Sequence, residues 1–299
     1  MASSLPEVAL GGPQSNCTFH FLSRLDRYKT EKPYFFSGVL DKNQEARRSN
    51  LEYEIHNDIT VVDLRGQEKL LSLGGHGFEL LQHKPVVDLS APSEEEMNKY
   101  LEDLAATVKD HLKVEAVLAY SFRFRREQSS RDNRDTESPI GTYSNQDTPI
   151  LVPHTDQTRE GGLRRARRHM NEQEIEKYLD GNWRIRIVNC WRPICGTADE
   201  RPLAMCDFYS IDENDLQPAD RASREYVGEI YYAHYNPMQK WYWISDQSPE
   251  EVLLFKNFDS KPRGEVPFML HSAFVNSANL NQVQRRESLE AALIVISKD

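Results

Sequence analysis

The chain contains no run of eighteen apolar residues, so no stretch of it can cross a bilayer as a helix. Its first residues, Met1-Ala2-Ser3-Ser4-Leu5-Pro6, lack the charged and apolar segments of a secretory leader. Four cysteines, Cys17, Cys190, Cys195 and Cys206, form no Cys-x-x-Cys pair and no zinc-ribbon spacing. Neither a disulfide framework nor a thiolate metal site is therefore indicated. Basic charge is also scarce: 37 Lys and Arg against 47 Asp and Glu leave a formal net charge of -10, the wrong sign for a general nucleic-acid binder. These absences predict a cytoplasmic protein whose partner is neither nucleic acid nor membrane.

At 299 residues the chain is long enough to bury a full core. Residues 1–15 are small and polar and read as a flexible tail. Short strands are expected over residues 18–22, 33–36, 51–55 and 60–64, the third alternating apolar and acidic side chains as a half-buried strand does. Gly74-Gly75 and Gly77 signal turns before a strand at 78–81. Ser93 and Glu96 make a capping box for the clearest helix, with Met97, Leu101, Leu104 and Val108 on its inner face. A central strand is expected over 114–124. The polar stretch from 127 to about 149 is too long and too polar for an ordinary connection and is expected to be a lid loop or disordered.

Beyond residue 150 the pattern is almost wholly β. The exceptions are an arginine-dense stretch from Arg159 to His169, which reads as a solvated face in preference to an anion-binding patch, and a short helix capped by Asn171 and Glu174. Strands are expected at 150–152, 183–191, 203–207, 228–232, 241–244, 252–255, around 271 and at 293–296. A helical turn is expected from Ser248-Pro249-Glu250-Glu251, with proline at its first position. Many short strands separated by turn signals predict a mainly β fold with flanking helices. Its core is expected to be a double-stranded β-helix, the jelly roll of cupin-like proteins.

Within that frame one stretch carries chemistry. In Pro153-His154-Thr155-Asp156-Gln157-Thr158 an extended backbone puts His154 and Asp156 on one face. If another strand brings His271 across, two imidazoles and one carboxylate would occupy one side of a metal and leave the other side open, the facial triad of non-haem iron(II) oxygenases. An isolated His-x-Asp is common in ordinary proteins, so company downstream matters. Five or six strands fit between Asp156 and His271, as an early His-x-Asp and a late His require. Past His271, Arg286 and Ser288 share a face if extended, a guanidinium and a hydroxyl suited to the far carboxylate of 2-oxoglutarate.

The series Glu31-Lys32-Pro33-Tyr34, Arg48-Ser49-Asn50, His154-Thr155-Asp156-Gln157-Thr158, Asn189-Cys190-Trp191-Arg192-Pro193-Ile194, Pro202-Leu203-Ala204-Met205-Cys206-Asp207, Trp241-Tyr242, Phe255-Lys256-Asn257-Phe258-Asp259-Ser260, His271-Ser272-Ala273-Phe274 and Arg286-Glu287-Ser288-Leu289-Glu290 spans nearly the whole chain. In this series the chain resembles the fungal hydroxylase/desaturase family, which includes gibberellin-desaturase-like proteins and is similar to the cephamycin 7α-methoxylation component. The resemblance implies a single oxygenase domain over 16–299, with an N-terminal strand and helix extension. It implies Fe(II)-, 2-oxoglutarate- and O2-dependent oxidation of a small molecule in secondary metabolism, possible substrates being an amino acid or a pathway intermediate. Hydroxylation, desaturation and cyclisation all remain open, as does the oligomeric state. Iron would sit on His154, Asp156 and His271, with Asn189 and Arg192 nearby to hold a carboxylate.

Two positions depart from the family pattern. Ala292 stands where an arginine is common, which leaves Arg286 and Arg192 as rival clamps for 2-oxoglutarate, and Cys190 replaces an aliphatic residue. Two other classes compete. A zinc or manganese hydrolase could use the same three ligands but would need a nearby base. A metal-free β-sandwich binding protein would hold both histidines as core residues.

Overall fold

The structure is a computed structural model that describes residues 14–37, 40–41, 43–126, 146–147, 150–198, 201–276 and 286–298. Among these residues the strands are β1 (Gln14–Leu22), β2 (Tyr34–Phe36), β3 (Tyr53–Asp63), β4 (Phe78–Gln82), β5 (Ala116–Arg126), β6 (Gln146–Asp147), β7 (His154–Thr155), β8 (Trp183–Pro193), β9 (Leu203–Cys206), β10 (Leu216–Ala222), β11 (Val227–Ala233), β12 (Trp241–Trp243), β13 (Glu251–Asp259), β14 (His271–Ala273), β15 (Val275–Asn276) and β16 (Glu287–Lys298). The helices are α1 (Glu94–Leu112), α2 (Arg159–Arg168) and α3 (Glu172–Tyr178). Six strands, β8 to β13, separate the His-x-Asp from the second histidine.

The strands form two facing sheets, a double-stranded β-helix. One runs β15-β1-β3-β12-β9-β14-β7-β11-β10-β2 and the other β4-β13-β8-β16-β5-β6. Between them Met205, Tyr242 and Met269 from the larger sheet side meet Trp191, Leu253 and Phe255 of the smaller one in a single buried cluster. Alternate residues of the smaller sheet, Val188, Cys190, Leu289, Ala291 and Leu293, face outward and are covered by Met97, Tyr100, Leu104 and Val108 of α1. The Ser93–Glu96 capping box starts that helix as its sequence requires. Inward and outward sets thus alternate along β8 and β16, and this parity decides which polar side chains reach the interior.

Helix α2 begins directly after the His-x-Asp and lies across the open end between the sheets. Thr158 caps it, its hydroxyl accepting from Gly161 N at 2.9 Å. Two consecutive glycines let the helix touch both sheets. A Cβ on Gly161 would come within 2.9 Å of the Glu229 carbonyl oxygen of β11, and one on Gly162 within 2.2 Å of the Phe258 ring of β13.

Several local expectations need correction. The strands expected at 51–55 and 60–64 are one strand, β3, which continues through Asp58 at φ 63° because β1 pairs with it across a register shift. Ser248 to Glu251 forms a single turn closed by a 3.0 Å bond from Glu251 N to Ser248 O, and the chain then enters β13 rather than a helix. The strand expected at 150–152 is irregular, and only His154–Thr155 pair, between β14 and β11. Strand β10 escaped notice because Pro218 and Asp220 sit within it. β12 does not pair with β11 despite the short connection, but with β3 and β9. Strand β1 starts at Gln14, and the rest of the expected tail, with the expected lid around 127–149 apart from Gln146–Asp147, lies outside the described residues. No helix among the described residues is long and apolar enough to cross a membrane.

Candidate functional site

His154 of β7 stands opposite His271 of β14 on one side and Tyr232 of β11 on the other. Directly opposed residues point to the same face, so the two imidazoles lie side by side on the inner face of the larger sheet. Their ring centroids are 4.4 Å apart, and Phe255 of the facing sheet packs 4.5 Å from His271. Asp156 follows His154 by two residues and brings its Oδ1 to 3.6 Å from His154 Nε2. One ligand atom from each of His154, Asp156 and His271 falls within 4.8 Å of the others, and no other group of three or more such residues occurs among the described residues.

Neighbouring groups prepare all three side chains for a metal. His154 Nδ1 lies 2.7 Å from the Val152 carbonyl and His271 Nδ1 3.4 Å from that of Met269. A carbonyl only accepts, so each Nδ1 carries the proton and each Nε2 offers a bare lone pair. Burial, then the neighbouring His271, pushes the His154 imidazole down to about 3, and burial lowers His271 as well. Both are neutral at physiological pH, as ligands must be. For Asp156 burial works in the opposite direction, but the two imidazoles, Arg221 and a bond from Asn189 hold the carboxyl well below its usual range. Two neutral imidazoles and one carboxylate, with no further ligand among the described residues closing the site, suit a divalent transition metal with open positions.

Asn189 of β8 points inward and donates from Nδ2 to Asp156 Oδ2 at 2.7 Å. Asn257 of β13, which shares the inner face with Leu253 and Phe255, accepts on Oδ1 from Asp156 N and from Thr155 Oγ1, both at 3.1 Å. The smaller sheet therefore holds both the carboxylate and the backbone that carries it. No role for Asn257 was expected from sequence, although two-residue spacing from Phe255 places it inward.

Arg286 and Ser288 also lie on the inner side. Arg286 is almost fully buried, donates from Nε to Ser288 Oγ at 3.2 Å and from Nη1 to the Arg201 carbonyl at 2.5 Å, and lies over the Trp191 ring. Burial and then the charge of Arg125 push its guanidinium down to about 9. Arg125 of β5 stands opposite Ser288 and faces Glu290 at 3.9 Å. Its charge reaches both His154 and His271, so it belongs to the site although sequence reasoning passed over it.

Arg192 is a correction. It shares the outward parity of Cys190, lies under α1 with its guanidinium 5.4 Å from the centre of the Tyr100 ring, and donates from Nη2 to His83 Nδ1 at 2.8 Å and to the His83 carbonyl at 2.6 Å. The sheet stands between it and the three ligands, so it cannot clamp a cosubstrate beside them. Cys190 lies on that same far side and does not shape the site, whereas Ala292 stands opposite Asn189 on the inner face.

The family model described as "Oxidoreductase/YMDC permease-like domain" matches residues 19–296. Among curated proteins, Hydroxylase/desaturase efuI of Hormonema carpetanum is 27% identical, over 81% of this chain and 84% of its own length. Hydroxylase/desaturase CTB9 of Cercospora beticola is 27% identical over 81% and 76%. Alpha-ketoglutarate-dependent dioxygenase tstK of Talaromyces stipitatus is 25% identical over 80% and 84%. A solved structure, the iron and alpha-ketoglutarate-dependent endoperoxidase NvfI, shares the fold with a TM-score of 0.77 at 22% identity, covering 96% of this chain and 99% of its own. The chain belongs to this oxidoreductase family, in which it stands with the fungal hydroxylases/desaturases.

Proposed function

We propose that the chain is an Fe(II)- and 2-oxoglutarate-dependent oxygenase of secondary metabolism, which hydroxylates, desaturates or cyclises a small molecule. The observation that carries this reading is the approach of His154, Asp156 and His271 to within 4.8 Å, with both imidazoles turned to offer Nε2. These three residues hold the metal. Asn189 and Asn257 aim the carboxylate, and Arg286 with Ser288 receives the far carboxylate of 2-oxoglutarate. Ferrous iron with the bound 2-oxo acid supplies the activation of O2 that removes hydrogen from an unactivated C–H bond. The protein's own work is to place the target carbon, keep water out between the two sheets, and hold the ligands in their neutral and carboxylate forms.

A hydrolytic reading asks for a free base beside the metal. Glu290, an acid on the inner face of β16, instead faces Arg125 at 3.9 Å. Residues 16–299 are taken as one oxygenase domain. The four cysteines are free thiols, three of them buried, which supports the reducing environment of the cytoplasm. Anaerobic addition of Fe(II) and then 2-oxoglutarate tests the assignment. A weak visible charge-transfer band is expected, absent in His154→Ala. Silence of the wild-type protein, or a band that survives in the variant, overturns it.

A further inference from the structure

A second polar group, separate from Arg286 and its charged neighbours, lines the same interior. Strand β10 runs beside β11, with Gln217 opposite Tyr232 and Arg221 opposite Gly228. Tyr232 is itself opposite His154, so 217, 219 and 221 share the face of the metal ligands and Arg221 points inward. Its charge is felt at Asp156. Among the described residues no carboxylate forms an ion pair with it.

Gly228 explains what meets Arg221 there. A Cβ at that position would lie 2.8 Å from Arg165 Nη2 and 3.1 Å from the Tyr226 ring. The missing side chain makes room for the Arg165 guanidinium, which reaches in from α2 and stacks 4.4 Å from the centre of the Tyr226 ring. Around it, Arg165 Nε, the Tyr226 hydroxyl and His169 Nε2 are all buried and without a hydrogen-bond partner among the described residues. Buried polar atoms are rarely left unpaired, and three in one neighbourhood mark a place shaped for something else. His169 stacks at 4.5 Å on Tyr120, whose surroundings include Arg165, Asp156 and Glu290, so the group reaches the metal ligands.

We propose that Arg165 and Arg221, with Tyr226 and His169, form the substrate-recognition end of the barrel and bind a carboxylate carried by the substrate. This rests on the oxygenase reading above. Both arginines are cations that only donate, and the phenol and imidazole can donate too, so the complement is an acceptor of negative charge. 2-Oxoglutarate is not that ligand, because its far carboxylate is assigned to Arg286, whose charged neighbours are Arg125, Glu290 and Arg201.

The test uses the full chain loaded anaerobically with Fe(II) and 2-oxoglutarate. Hexanoate, benzoate and 2-naphthoate are titrated calorimetrically, each against its primary amide. At least one acid is expected to bind about tenfold or more tightly than its amide, the scale of one charge-assisted hydrogen bond. That preference is expected to vanish in Arg221→Gln and in Arg165→Gln and to return in part in Arg221→Lys, while the charge-transfer band still forms in all three at saturating Fe(II) and 2-oxoglutarate. Arg221 is only partly buried, so its replacement tests the idea even if Arg165→Gln unfolds. Equal binding of acids and amides, failure of every acid to bind, or a preference that survives both Gln variants overturns the substrate assignment while the band stands. Absence of the band in the unaltered protein removes the oxygenase reading and this inference with it.

Discussion

His154 and His271 face each other as a registered pair on neighbouring antiparallel strands, their rings 4.4 Å apart, though more than a hundred residues of chain separate them. The pairing brings two lone pairs to one point because each ring is turned by a carbonyl two residues earlier, that of Val152 for the first and Met269 for the second. Either of these two central strands could slip by one residue only by sending its imidazole to the opposite face.

Asn257 is expected to matter to a metal it does not touch. Asn257→Ala removes the acceptor for Asp156 N and Thr155 Oγ1 and loosens the segment that joins His154 to Asp156. Groups of this kind typically contribute about ten- to hundredfold in metal affinity. Competitive Fe(II) titration should show a loss of that order in the variant, with the charge-transfer band still attainable at saturating metal.

Arg286 is expected to govern 2-oxoglutarate and not iron. Arg286→Gln should raise the 2-oxoglutarate concentration needed for half of the band by about ten- to hundredfold, the worth of a hydrogen bond to a charged group. Fe(II) affinity should be unchanged, and Ser288→Ala should give a smaller shift. An equal effect of Arg192→Gln on 2-oxoglutarate would contradict the outward placement of that residue.

Gly162 is expected to resist even the smallest side chain. Its Cβ would lie 2.2 Å from the Phe258 ring, so Gly162→Ala should destabilise the protein by roughly 1–3 kcal/mol despite the better helix propensity of alanine. Adding Phe258→Leu should recover part of the loss. Urea midpoints of the two single variants and the double variant would reveal the coupling.

His169 is expected to make stability fall in acid. Burial, then Arg165 and Arg168, pushes its imidazole down to about 4, below the value near 6.5 of an unfolded histidine. The unfolded chain therefore binds the proton first. The contribution is fully present above about pH 6.5 and is lost as the pH falls towards 4. Partial exposure keeps its slope below ~1.4 kcal/mol per pH unit. His169→Phe, which keeps a ring for Tyr120 to stack on, should flatten the decline between pH 7.5 and 5 relative to the parent protein.

Local pattern made much of this legible. The capping boxes of α1 and α3, the alternation of β8 and the shared face of His154 and Asp156 all depend on neighbours within a few residues, so spacing alone exposes them. Strand β10 hid behind Pro218 and Asp220, because its pairing with β11 and β2 overrides the propensities of its own residues. The expected helical turn at Ser248 failed for a related reason: the chain is drawn at once into β13, whose ladder outweighs a proline-led start.

Composition, periodicity and motif order carried the class of the fold and pointed to three candidate ligands and to residues suited to 2-oxoglutarate. They could not say which way a side chain on a central strand points. Arg192 and Asn189 are three positions apart on β8 and looked equally eligible, yet one lies beneath α1 and the other reaches Asp156. Arg125 and Arg221 carried no signal, and Arg165 only that of an arginine-dense stretch that reads as a solvated face, since the three come from a strand, a second strand and a helix that only folding brings around one cavity. Which face of a sheet becomes the interior is set by how the whole barrel closes, and that is a long-range outcome no local stretch contains.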